Sequence, residues 1–138
     1  MINYKSTGKL VYSPRSHLGE PSKWLVLMCD DEISNYYRNL YARQYPYLNG
    51  DKSGKLTRPI FGSHVSIIRG EKLPKPELWG LYANKIIEFE YEPGVKDNNI
   101  YYWLSVKCPY LLDLRAKFGL NPNPRFGLHM TIGISTNT

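Results

Sequence analysis

Histidine, cysteine and long apolar runs are all scarce in this chain, and each scarcity narrows what the protein can be. Its 138 residues include three histidines and two cysteines. Cys29 and Cys108 by themselves make neither a disulfide framework nor a zinc site, since both need more ligating thiols or imidazoles at suitable spacing. The longest apolar run, Trp24 to Cys29, is far short of the ~20 residues that a membrane-spanning helix requires. No apolar stretch follows Met1-Ile2-Asn3-Tyr4-Lys5, so a secretory leader is not expected. Lys and Arg are scattered, with no basic tail or arginine-rich stripe, which argues against holding duplex DNA by charge alone. The expectation is a cytoplasmic protein with reduced thiols, no membrane contact, no metal and no cofactor. It would be a monomer or a weak oligomer.

What is present points to one folded unit over residues 1–138. Hydrophobic residues at 42% can build a core, and charged residues at 22% leave an ordinary surface. A net charge of +6 favours an anionic partner such as a nucleotide or RNA. Twelve tyrosines add rings that can pack while keeping a hydroxyl in water, a composition suited to lining a cleft.

One pattern occurs twice. Pro59-Ile60-Phe61-Gly62-Ser63-His64-Val65-Ser66-Ile67 matches Pro124-Arg125-Phe126-Gly127-Leu128-His129-Met130-Thr131-Ile132 at six of nine positions, taking Ser and Thr as equivalent. Two of the three histidines hold the same place in it, and His17, outside the repeat, reads as exposed and non-catalytic. In a strand, residues i and i+2 share a face. His64 therefore points with Ser66, and His129 with Thr131, while Val65, Ile67, Met130, Ile132 and Ile134 form an apolar reverse face. Two imidazoles and two hydroxyls directed into one groove can move protons on both sides of a phosphodiester. The glycine before each motif lets the chain bend or a ligand approach the backbone.

The elements around the repeat alternate in type. Gly8 to Tyr12 reads as a short strand, and Lys23 to Cys29 as a buried one after a turn-rich loop. A helix is expected from about Glu32 to Gln44, on the helical spacing of Ile33, Tyr36, Tyr37, Leu40 and Tyr41, with Asp30 or Asp31 as cap and Pro46 as stop. A polar loop, Tyr47 to Arg58, leads to a strand at Phe61 to Ile68. Glu77 to Ala83 suits one or two helical turns. Lys85 to Glu92 alternates as a strand with one wet face, Ile100 to Lys107 is a further strand, and Pro109 to Phe118 is a short helix that begins on Pro and is followed by Gly119. Gly127 to Ser135 carries the second motif. Trp24-Leu25-Val26-Leu27-Met28-Cys29 and Trp103-Leu104-Ser105-Val106-Lys107-Cys108 share Trp-Leu-x-x-x-Cys, extending the repeat to two half-units, roughly 8–70 and 84–136. The matched Trp and Cys residues read as core.

On these residues the chain resembles the 2H phosphoesterase superfamily, whose hallmark is a pair of His-x-[Ser/Thr] motifs, here His64-Val65-Ser66 and His129-Met130-Thr131. The resemblance implies an α+β, bilobal fold with two pseudo-symmetric halves, each of antiparallel strands and a helix, around a central cleft. It implies a phosphodiesterase that needs no metal, with His64 and His129 as general acid and base and Ser66 and Thr131 holding the phosphate. The substrate it suggests is a small nucleotide, 2',5'-linked or cyclic, such as an immune signal that a viral or phage enzyme destroys in the host cytoplasm. An RNA 2',3'-cyclic phosphodiesterase and a non-catalytic protein that sequesters nucleotides or single-stranded RNA are the alternatives. Arg69 and Arg125 are secondary candidates for phosphate contact, and Tyr12, Trp103 and Phe126 for stacking on a base.

Overall fold

The computed structural model describes residues 3–12, 24–49, 56–59 and 62–135, with side chains omitted from 44 to 49. It is a mixed α/β chain built on one sheet. In chain order the elements are β1 (Tyr4–Tyr12), β2 (Trp24–Cys29), α1 (Asp31–Asn49), β3 (Leu56–Thr57), β4 (His64–Arg69), a 3-10 turn (Pro76–Leu78), β5 (Ile86–Tyr91), β6 (Lys96–Asp97), β7 (Tyr101–Lys107), α2 (Pro109–Lys117) and β8 (His129–Ser135). Among the described residues no helix is long and apolar enough to cross a membrane.

The strands run β3-β8-β4-β2-β1-β5-β7-β6, and β7 also pairs with β8. That extra pairing closes β8, β4, β2, β1, β5 and β7 into a barrel-like ring, antiparallel at every pairing between them. The ring is thin at two joints. β4 meets β8 only at Val65–Met130, and β5 meets β7 only at Glu90–Lys107 and Tyr91–Val106.

Alternation divides the faces as expected. Val65, Met130, Leu27 and Leu104 are fully buried, whereas His64, Ser66, His129 and Thr131 are only partly covered. The apolar side carries both helices. Leu111, Leu114 and Phe118 of the α2 region pack with Leu25, Leu27 and Val65. Tyr37 of α1 packs with Tyr102, Leu104 and Ile132, and Ile33, Leu40 and Tyr41 lie against that cluster. Each helix therefore covers strands from the other half: α1 follows β2 yet lies on β7 and β8, and α2 follows β7 yet lies on β2 and β4.

Some element boundaries depart from the sequence expectation. β1 begins at Tyr4 rather than Gly8, because β5 pairs along it from Tyr4 to Lys9. α1 runs through Pro46 to Asn49 instead of stopping there. A proline in the last turn removes a single i to i−4 hydrogen bond, a smaller loss than in mid-helix. Leu56–Thr57, placed in a loop by its polar flanks, adds to the edge of β8, and Lys96–Asp97 adds likewise to β7. The region from Glu77 to Ala83 forms the 3-10 turn and successive turns.

Candidate active site

The described residues of the two copies make matching hydrogen bonds. A hydrogen bond from Gly62 N–H to the Pro59 carbonyl (3.2 Å) closes the first turn, and one from Gly127 N–H to the Pro124 carbonyl (3.0 Å) closes the second. Both glycines are left-handed, at φ of 72° and 70°, a conformation that costs other residues roughly 1–2 kcal/mol. Each glycine then presents its carbonyl to the following histidine, at 3.0 Å from His64 Nδ1 and 3.1 Å from His129 Nδ1. A carbonyl oxygen only accepts, so Nδ1 carries the hydrogen in both rings, and Nε2 is the nitrogen that exchanges a proton. The conserved order Pro, Gly, His within the repeat is thus a device for fixing one tautomer.

The two motifs meet at equivalent positions. Val65 pairs with Met130, and these are the central residues of the two His-x-[Ser/Thr] triplets. A local twofold axis passes through this pair. In that antiparallel register His64 stands toward Thr131 and Ser66 toward His129. Equivalence continues outward along both strands. β2 pairs Leu25 with Ile68 and Val26 with Ser66, so Ile67 is a bulge. β7 pairs Tyr102 with Gly133 and Trp103 with Thr131, so Ile132 is a bulge. The two bulges fall on the matched isoleucines of the pattern, and bulges of this kind re-aim neighbouring side chains.

Each bulged carbonyl is taken by an arginine from a helix of the opposite half. Arg38 of α1 donates from Nη1 to the Ile132 carbonyl at 2.8 Å. Arg115 of α2 donates from Nη1 to the Ile67 carbonyl at 2.7 Å. Glu71 pairs with Arg115 through both carboxylate oxygens, at 2.7 and 2.9 Å, and the Asn121 carbonyl accepts from Nε. That arginine is 2% exposed. The Arg115 guanidinium holds the Glu71 carboxyl below its usual range, chiefly through these hydrogen bonds.

The first half has further supports. Asp31, at the start of α1, accepts the Ser63 N–H at 2.8 Å, and the buried hydroxyls of Ser34 and Ser63 bond to each other. α1 therefore holds the turn before His64 at one end and reaches β8 through Arg38 one to two turns later.

Around the histidines stand two tryptophans. Trp24 meets His64 edge-on, with ring centres 5.5 Å apart, and its Nε1–H donates to Ser66 Oγ at 3.1 Å. The Ser66 hydrogen is left to donate to another acceptor. Trp103 meets His129 at 6.1 Å. The matched tryptophans are thus packed, as expected, but against the imidazoles rather than in the main core. Cys108 is buried and Cys29 partly so, both against that core, and burial pushes the Cys29 thiol up to about 12. The Trp-Leu-x-x-x-Cys alignment is corrected by two residues: Trp103 lies opposite Thr131, whereas Val26, not Trp24, lies opposite Ser66. A two-residue slip keeps side chains on the same face, so both indoles still reach a histidine.

Arg69 joins this group, its guanidinium 4.5 Å above the Trp24 ring. Burial lowers the His64 pKa from 6.5, the Gly62 bond opposes that shift, and the charges of Arg69 and His129 add to it. Arg125 and Phe126 lie in the turn before His129, stacked at 5.2 Å, with Phe126 strongly exposed. Tyr12 is engaged elsewhere: its hydroxyl accepts the Tyr82 N–H and its ring packs on Trp79. His17 and Phe61 lie outside the described residues. Among the described residues no three His, Cys, Asp or Glu side chains gather as metal ligands.

Comparison with known proteins supplies no relative: no family model, no curated protein and no solved structure matches the chain.

Reading the motifs alone missed Arg38 and Arg115. In register they are equivalent, each nine residues past a matched strand position, Cys29 and Val106. The Trp-based alignment hides this by its two-residue error.

Proposed function

We propose that the chain is a phosphodiesterase acting on a small nucleotide by two-histidine general acid–base catalysis, in a bilobal fold of the 2H phosphoesterase kind. The observation that carries this reading is the meeting of His64-Val65-Ser66 and His129-Met130-Thr131 at a local twofold axis, each imidazole held through Nδ1 by a glycine carbonyl. The scissile phosphate would sit between the two Nε2 atoms, with Ser66 and Thr131 donating to its non-bridging oxygens.

The two histidines are alike in geometry but not in surroundings. Burial and the charge of Arg69 favour the neutral form of His64, which suits it to take the proton from the attacking water or ribose hydroxyl. His129 Nε2 would then protonate the leaving oxygen. Each transfer contributes roughly 10²–10⁴-fold. The +6 net charge and the cations at positions 69 and 125 fit an anionic substrate. A 2',5'-linked or cyclic oligonucleotide is the substrate class proposed.

The test is a chromatographic assay of 2',5'-oligoadenylate, cyclic di- and trinucleotides and a 2',3'-cyclic nucleotide, with EDTA present throughout. Turnover of at least one is expected, and loss by about 10²-fold or more in His64→Ala and in His129→Ala. Binding of every substrate without cleavage would indicate a sequestering protein, and activity abolished by EDTA would refute the metal-free chemistry.

A further inference from the structure

The two helix arginines occupy equivalent positions but have unequal surroundings. Arg115 is paired: two carbonyls accept from it and Glu71 neutralises its charge. Arg38 bonds to the Ile132 carbonyl and to Asn35 Oδ1, and among the described residues no carboxylate lies within ion-pair distance of it. Glu71 follows His64 by seven residues, and seven residues after His129 the chain carries Thr136, so the repeat supplies no matching acid.

The space beside Arg38 is a cavity of about 520 Å³ between α1 and the segment leading into the first motif. Asn35, Arg38, Arg58, Gly62 and Met28 line it, with Asp31. Arg58 is exposed and has no ion-pair partner among the described residues. Among the described residues of the lining Asp31 is the one carboxylate, and its Oδ1 already accepts the Ser63 N–H. Two guanidiniums against one carboxylate leave the cavity positive. Burial lowers the Arg38 pKa, the charge of Arg58 lowers it further and the charge of Asp31 partly opposes this, so all three groups act on one another across the cavity. Two cations that share one cavity with a single, already hydrogen-bonded carboxylate are stabilised when an anion enters, and guanidiniums match phosphate oxygens in bidentate geometry.

The cavity also adjoins the histidine site. Met28 is the cross-strand partner of His64 and shares its face of the sheet. Gly62 is the residue whose carbonyl orients His64. We propose that Arg38 and Arg58 form an anion subsite that takes a second, non-scissile phosphate of the substrate. This rests on the phosphodiesterase reading for the identity of the ligand, but not for the existence of the site.

The closing experiment uses binding, so it does not depend on turnover. Inorganic phosphate is titrated into the full chain at low salt and followed by amide NMR. Saturable shifts are expected at Asn35 and Gly62, present in His129→Ala and lost in Arg58→Gln, a surface change that leaves the Ile132 contact in place. Absence of these shifts, or their persistence in Arg58→Gln, overturns the subsite. A second arm compares a dinucleotide with and without a terminal phosphate, bound to His129→Ala. The phosphorylated form should bind about tenfold tighter, and Arg58→Gln should erase the difference. Equal binding of the two by His129→Ala overturns the assignment to a substrate phosphate. Loss of cleavage alone, with both arms positive, would count against the catalytic reading and leave the subsite standing.

Discussion

Gly62 and Gly127 are matched in the repeat, in φ and in hydrogen bonding, yet they should respond unequally to the same substitution. A Cβ added at Gly127 would meet nothing within 4 Å, whereas one at Gly62 would lie 2.6 Å from Asp31 Oδ1. Gly127→Ala therefore carries only the left-handed backbone penalty, about 1–2 kcal/mol. Gly62→Ala carries that penalty and also displaces a carboxylate pinned by the Ser63 N–H at 2.8 Å. Losing that charge-assisted bond is worth roughly 1.5–3 kcal/mol, so the total is about 2.5–5 kcal/mol. Urea unfolding of both variants measures the difference through the midpoint at constant slope. The cause is isolated by repeating Gly62→Ala in an Asp31→Ala background. There the cost should fall to that of Gly127→Ala, a coupling read directly from the double-mutant cycle. Equal costs for the two glycines in the otherwise unchanged protein, or an excess at Gly62 that survives removal of Asp31, would refute the reasoning.

Three further outcomes concern charge. Glu71→Gln strips the counter-charge from an arginine that is 2% exposed, and should cost about 2–4 kcal/mol in the same urea assay. His64 titrates below 6.5 in the folded chain, so on acidification the unfolded chain takes up a proton that the folded site resists. Stability should fall as pH drops from about 6.5 toward the lower folded value. His64→Gln should flatten that limb in unfolding series run between about pH 5 and 8. The acidic limb of kcat/KM, if His64 is the base, should likewise lie below 6.5.

The sequence made the faces of the motif strands legible before the architecture. Period-two alternation placed His64 with Ser66 and His129 with Thr131, because burial of Val65 and Met130 leaves the neighbouring positions on the other face. The strands at 24–29, 101–107 and 129–135 and the helix from Pro109 were readable from apolar runs and end signals. The closure of the sheet was not, since pairing such as Val65 with Met130 joins residues far apart in the chain and leaves no local trace. The bulges at Ile67 and Ile132 were hidden for a related reason: a bulge is a mismatch between two strands, and either strand alone looks regular. Arg38 and Arg115 carry no signal in the sequence, because the carbonyls they bind become free acceptors only once the bulges form. Pro46 misled because a strong general rule yields where few bonds remain to be lost.

The exchange of arginines between halves has a consequence for how the molecule comes together. Until residues 129–135 have been made, Arg38 has no bulged carbonyl to grip and β4 lacks β8 as a neighbour. Conversely, the Ile67 carbonyl and Glu71, made earlier, lack their arginine until Arg115 follows. A fragment ending near residue 92 would therefore expose the underside of α1, and one starting near residue 84 would leave Arg115 without its counter-charge. The duplicated halves are not two small domains joined by a linker. Because the helices and arginines of each half are seated on strands of the other, one cooperative unfolding transition is expected.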